Sequence, residues 1–302
     1  MENKSSTQLY LNLKTQLMNK QRFDILKFKS EDEIFSILES IAQKPLTPTA
    51  HIYSDYGSIS IKEAAEKATQ NYFEKAKTKP AIALLAVVLA ANRNYNKVVK
   101  PNLERIEKMG LVTFGQLRKL ISEKSKDEFY LFWGHKDEKK HNTLIKLLEA
   151  IDELKKANPD ITNDFEILNF WGQNQDLLNR KKDIIGKIPN IATATFQHLR
   201  MIFGVDTVKP DQRVKEVLDY EFGISNLNDE NAIKAVEQIA EITKLKVITV
   251  DQIFVNYGAG YFNQSANKLS VKEIAGRLKS LGVDSEIIKS ATLLSLEQIK
   301  RL

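Results

Sequence analysis

The sequence predicts an all-α protein, and three observations carry that prediction. Ser or Thr followed three residues later by Glu or Gln recurs at Ser30/Glu33, Ser60/Glu63, Thr113/Gln116, Thr249/Gln252, Ser270/Glu273 and Ser295/Gln298. Each pair leads into helically spaced apolar residues, the pattern of a reciprocal cap in which each partner satisfies an amide that a helix start leaves unpaired. Segments that alternate apolar and polar residues are scarce, with "HIYSDYGSISI" at residues 51–61 the main candidate for extended structure. Third, "AIALLAVVLAA" at residues 81–91 is apolar on every side, which marks a central buried helix, and Pro80 suits its first position.

Taken in chain order, the Ser30 and Ser60 pairs open the first helices, and the buried helix at 81–91 follows. Periodic apolar positions then place helices at 95–108, 113–123, 139–156, 164–171 and 176–185. The stretch "IPNIATATFQHLRMIFGVDTVKPDQRVKEVL" holds two more, joined by a short polar loop that ends in Lys209, Pro210 and Asp211. "DENAIKAVEQIAEI", "VDQIFVNYG" and a tail at 270–302 complete the set, with no repeat at a solenoid period. The expected organisation is a helical appendage at 1–60, a central unit at 61–262 and a helical extension at 263–302.

A chain of 302 residues, 42% hydrophobic and 28% charged, has the composition of a globular protein with a sizeable core. Cysteine is absent, which excludes disulfides, thiolate metal sites, iron-sulfur clusters and a cysteine nucleophile. The run at 81–91 is far short of the roughly 20 residues that span a bilayer, and residues 1–20 lack a secretory apolar region, so the expectation is a cytoplasmic protein with no membrane partner. A formal charge of +6 and a pI near 9.1 favour polyanionic partners. Two basic concentrations sharpen this: "NRKKDIIGKIPN" and "HKDEKKHNTLIK". A solvated lysine-rich surface is the plain alternative.

Chemistry concentrates around the paired helices. A corner at Pro189-Asn190 aims the first amides of the following helix outward, and with the helix dipole they form an anion site suited to a phosphate. Read plainly, the same residues make an ordinary αα-hairpin. Asp211, just after Pro210, has the spacing of an N-cap whose carboxylate accepts amide hydrogen bonds, a role compatible with a second, catalytic one.

Ile188, Pro189, Asn190, Ile191, Ala192, Thr195 and Phe196, then Phe203-Gly204, then Pro210, Asp211, Gln212, Arg213 and Val214 resemble the signature of the helix-hairpin-helix DNA glycosylase superfamily. That group includes endonuclease III and 8-oxoguanine DNA glycosylase. Its hairpin has the form L-P-G-apolar-G, its next helix ends near F-G, and a V-D follows. "VVLAANRNYNKVVKPNLERI" is similar to the early segment of the family in which small residues lead into an Asn or Gln that fills the duplex, and "VDQIFVNYGAGYF" to a late helix. The resemblance covers about residues 80–262.

What it implies is a two-lobed helical architecture and a monofunctional DNA glycosylase in base excision repair. Asp211 would be the catalytic carboxylate. Asn92, with Arg93 and Asn94 beside it, would enter the space left by a flipped nucleotide; the bland reading of Asn92 is a polar helix end. Lys187, Asn190, Ala192, Ala194 and Arg213 would contact DNA, with room for a monovalent cation at the hairpin; Arg213 also reads as cover for its helix. Trp133, Trp171 and Tyr257 are candidate walls of a base pocket, though aromatic residues at helical spacing also serve as core. Both family glycines are replaced, by Asn190 and Ala192, and Ala194 stands where bifunctional members carry a lysine, so no lyase step is implied.

Other sites find no support. His135 and His141 lie six apart without an HExxH, so no metal is expected, and "YGAGYF" holds a lone GxG that fits a helix end better than a dinucleotide loop. The expected partner is double-stranded DNA, bound by a monomer without a cofactor. The competing reading is a non-catalytic DNA-binding or scaffold protein on the same helical frame.

Overall fold

A computed structural model describes residues 26, 29–47, 59–91, 93, 95–175, 177–262, 271–280, 282–292 and 295–300. Those residues form fifteen α-helices and no strand; one isolated antiparallel bridge joins Pro45 to Ser60. The order is α1 (Glu31–Ala42), α2 (Ile61–Thr78), α3 (Pro80–Ala90), α4 (Lys100–Glu107), α5 (Phe114–Glu123), α6 (Lys126–Trp133), α7 (Glu138–Ala157) and α8 (Asp164–Gln173). It continues with α9 (Thr193–Ile202), α10 (Gln212–Tyr220), α11 (Asp229–Thr243), α12 (Val247–Tyr261), α13 (Val271–Ser280), α14 (Ser285–Thr292) and α15 (Leu296–Lys300). Among the described residues no helix is long and apolar enough to cross a membrane.

The reciprocal caps form at Ser30/Glu33, Ser60/Glu63, Thr113/Gln116 and Ser295/Gln298, and a further one, Ser125/Glu128, opens α6. Thr249/Gln252 is a correction. The helix already begins at Val247, and Thr249 and Gln252 are buried within its first turns because burial of Ile248 and Val250 draws the start forward. Ser270 and most of the expected extended segment at 51–61 lie outside the described residues.

Two expected helices differ in kind. The segment at 95–108 starts as a π-turn, Tyr95–Val99, before α4, because Pro101 has no amide to donate into a regular ladder. The segment at 176–185 is a 3-10 turn, Leu177–Lys182, followed by a tight turn in which Asp183 Oδ1 accepts the Ile185 and Gly186 amides at 2.9 and 2.7 Å. A short acidic side chain that bonds its own downstream amides competes with the helix and here replaces it.

Two large hydrophobic cores result. The first draws on residues from Ala76 to Phe203 and is centred on α3, whose residues are buried on nearly every side as expected. The second joins Ile34, Leu38 and Ile41 of α1, and Ile61 and Ala65 of α2, to Val208, Val214, Val236, Ile239 and Phe254. Helix α1 is part of the second core, where its apolar face packs on α2, α11 and α12, so the described residues 31–42 join the unit that the sequence reading began at residue 61. Helix α2 contributes to both cores and packs most extensively on α12, its buried face being Ile61, Ala64, Ala65, Ala68 and Thr69. Ala275, Ile288 and Ile299 form a small separate cluster in α13 to α15.

Candidate nucleic-acid interface

The hairpin before α9 is built from its own backbone and one half-buried guanidinium. Arg180 donates to the carbonyls of Gly186 and Ile191 at 3.2 and 2.7 Å. A Cβ at Gly186 would lie 2.1 Å from the Arg180 carbonyl, so only glycine fits there. Asn190 takes the left-handed conformation, φ 70°, that otherwise favours glycine; its short polar side chain makes it one of the few other residues that adopt it readily.

Ala192, exposed and extended, is the N-cap of α9 and offers no side-chain bond to the first turn. The amides of Thr193, Ala194 and Thr195 thus begin the helix uncapped beside the exposed Lys187, Pro189 and Asn190. This is the arrangement in which a helix start holds an anion.

The tip leans on α7. Thr143 Oγ1 donates to the Pro189 carbonyl at 3.1 Å and accepts from the Asn190 side-chain amide at 3.2 Å, while also bonding the Lys139 carbonyl at 2.8 Å. The contact joins the two basic segments that are far apart in sequence: Lys181, Lys182 and Lys187 on one side and Lys136 and Lys139 on the other, all exposed.

Beyond α9 the chain crosses from the first core to the second through residues 205–211, which are irregular. Two bonds to α12 fix the crossing: Asp206 Oδ1 accepts the Ile248 amide, and Asp251 Oδ1 accepts the Lys209 amide, each at 2.9 Å. At its end Asp211 N-caps α10, with Oδ1 accepting the Arg213 and Val214 amides at 2.9 and 3.3 Å. Oδ2 lies 3.4 Å from Lys209 Nζ, and the side chain is 27% exposed. Capping therefore uses one oxygen and leaves the other facing the Lys209 ammonium.

Several expected contacts are taken elsewhere. The Arg213 guanidinium pairs with Glu216 at 2.8 Å, and its methylene stem lies over Gly258, where a Cβ would come within 3.2 Å. It covers the helix and is not offered to a phosphate. Trp133 and Trp171 are 0% and 1% exposed. Their indole amides donate to the His135 carbonyl and, at 3.0 Å, to Asp183 Oδ2. Tyr257, 4% exposed, stacks on Tyr261 and donates to Glu221 at 2.6 Å; burial and Glu221 push its hydroxyl upward in pKa. All three rings are interior, so they are corrected from pocket walls to packing: a base requires an open ring face, and here side chains cover both faces. Two shallow grooves, about 450 Å3 by Pro80, Thr113 and Asn163 and about 420 Å3 along α1, are not lined by Asp211.

Asn92 and Asn94 lie outside the described residues; Arg93 pairs with Asp137 at 3.5 Å. The loop that carries them is tied at its base by Lys140, a buried ammonium that donates to the Leu89 and Ala91 carbonyls at 2.8 and 2.6 Å and so caps the end of α3. Burial, then the charge of Arg93, lowers its pKa to about 8.

Sequence reasoning missed Arg180, Thr143, Lys140 and Asp251. Nothing local marks the first three, whose roles depend on partners distant in the fold. Asp251 did carry a signal, a lone acid among apolar helical positions, hidden by the capping pattern around it. No protein-family model, curated protein or solved structure matches the chain.

Proposed function

We propose that the chain is a monofunctional DNA glycosylase that hydrolyses the N-glycosidic bond of a flipped base in double-stranded DNA. The observation that carries the reading is the division of labour at Asp211: one carboxylate oxygen holds the helix, and the other, on a partly exposed side chain, is free of the cap and faces the Lys209 ammonium. It lies beyond a hairpin whose uncapped amides and flanking lysines suit a phosphate. Phosphate contacts of that kind position a duplex without reading its sequence.

The chemistry follows from electrostatics. A base in the stack hides C1′ from any side chain, so the nucleotide must swing out, at a cost of a few kcal/mol, and a wedge must fill the gap. Asn92 has that role in this reading. As the C1′–N bond breaks, positive charge grows on the sugar; an ionised Asp211 stabilises it and orients the water that attacks C1′. With Ala194 in place of a lysine amine, water is the nucleophile, and the products are a free base and an abasic site.

A second reading, a DNA-binding scaffold without catalysis, is favoured by one observation: the three rings expected to sandwich a base are interior. Incubation with duplexes that each carry one lesion, followed by hot alkali to cut at abasic sites, separates the two. Base release by the parent and none by Asp211→Asn supports the glycosylase. Salt-sensitive binding with no release across a broad panel supports the scaffold.

A further inference from the structure

We propose that Asp251 is the buried positioning partner of Asp211: it holds the Lys209–Pro210–Asp211 turn in place through the Lys209 amide and does so best in its protonated form. The inference rests on the glycosylase reading for its functional half and on packing alone for its structural half.

Four observations meet at this carboxyl. It is 1% exposed, on the face of α12 turned toward the crossing. The crossing and α12 clasp each other, Asp206 capping the helix start and Asp251 taking the Lys209 amide. Asp211 in turn donates its own amide to the Lys209 carbonyl at 2.7 Å, so Asp251 anchors the residue on which Asp211 folds back.

The fourth observation concerns the proton. Oδ2 accepts from the Gln252 side-chain amide at 2.8 Å, while Gln252 Oε1 is buried and has no hydrogen-bond partner among the described residues. The two ends of a Gln amide are assigned from their surroundings. Turned over, Gln252 presents Oε1 to a carboxylic O–H, so the same side chain can bond Asp251 in either protonation state, one end of the amide remaining without a partner each time.

Electrostatics agrees. Burial and then the negative charge of Asp211 raise Asp251 to about 7, against the smaller opposing pulls of the Lys209 amide, the Lys209 charge and the Gln252 amide. From α9, His198 faces Lys209 and is kept neutral by its own burial. On α10 the nearby Arg213 and Glu216 neutralise each other. The buried face of α2 brings alanines, Ile61 and Thr69. Lys209 already spends its ammonium on Asp211. A second anion inside would stand against Asp211, whereas a neutral acid removes that repulsion and keeps the Lys209 amide bond.

The test uses the full chain and two variants. Asp251→Asn keeps an acceptor for Lys209 and a donor for Gln252 but never ionises. Because the folded-state pKa lies above the unfolded value of about 3.9, the stabilising proton is fully bound below that value and lost as pH rises through about 7. Melting curves from about pH 5.5 to about pH 9 are therefore expected to show the parent losing stability relative to Asp251→Asn as pH rises; parallel curves overturn the protonated acid. For positioning, Asp251→Ala is expected to lower the single-turnover excision rate by about tenfold or more with unchanged DNA affinity, while Asp251→Asn stays within about threefold of the parent near pH 6. An alanine variant as fast as the parent, or an asparagine variant as slow as alanine, overturns it. If the alanine variant does not fold, the asparagine variant decides alone. If the parent releases no base from any lesion, the glycosylase reading falls and the positioning role with it, whereas the melting curves still decide whether Asp251 holds its proton.

Discussion

At Asp211 the helix cap and the proposed chemistry fall on different oxygens of one carboxylate. Asparagine caps a helix as well as aspartate does, so Asp211→Asn is expected to melt with the parent, while Asp211→Ala loses about 1 kcal/mol of stability in denaturant titrations. Both variants are expected to lose about a hundredfold or more in excision rate, because neither offers an anion to the developing cation. Equal rates for parent and asparagine variant would remove the carboxylate from the chemistry. His198 shows the opposite sign of linkage to Asp251. Burial, helped by Lys209, holds its pKa well below the ordinary value, so its contribution is present above about 6.5 and is lost as pH falls below it. Melting temperatures of the parent and His198→Gln, compared between about pH 7.5 and about pH 5, are expected to show an acid loss in the parent that the variant lacks. With Asp251 failing on the alkaline side, the chain should be most stable between the two limits.

Among the elements, the hairpin and the start of α7 act as one surface through Thr143. Lys139→Ala and Lys187→Ala are each expected to reduce the slope of log K against log salt for duplex binding by about one, with no preference among sequences. A slope unchanged by both would place the duplex elsewhere. Helix caps were legible in the sequence because a cap is local: Ser30, Ser60, Thr113 and Ser295 find their partners three residues on, whatever surrounds them. Helix α6 was not legible, since "KDEFYLFW" crowds apolar rings on all sides and shows no stripe. The turn at Asp183 and the π-turn before Pro101 were misread as helix because apolar spacing survives where the ladder itself does not. Asp211 was found as a cap, and the setting of its second oxygen was beyond reach, since that depends on Lys209 and the clasp to α12. The interior position of Trp133 and Trp171 likewise follows from His135 and Asp183 meeting their indole amides, which spacing does not encode.

For the molecule as a whole, α1 belongs to the second core although α3 to α9 intervene in the chain. Phe254→Ala, at a fully buried position, is expected to cost about 3–5 kcal/mol. Hydrogen exchange should then accelerate in α1 together with α11 and α12 and leave α3 and α7 protected. Protection retained in α1 would restore it to the status of an appendage. The chain passes between its two cores twice, by different means: once inside the continuous helix α2, once through the irregular residues 205–211. A helix is a stiff rod and an irregular segment a soft strap, so a twist about the rod is a motion that the strap can absorb. Asp211 is fastened at the strap's end, and a duplex bound as proposed that wrings the two halves against each other would therefore reposition this acid.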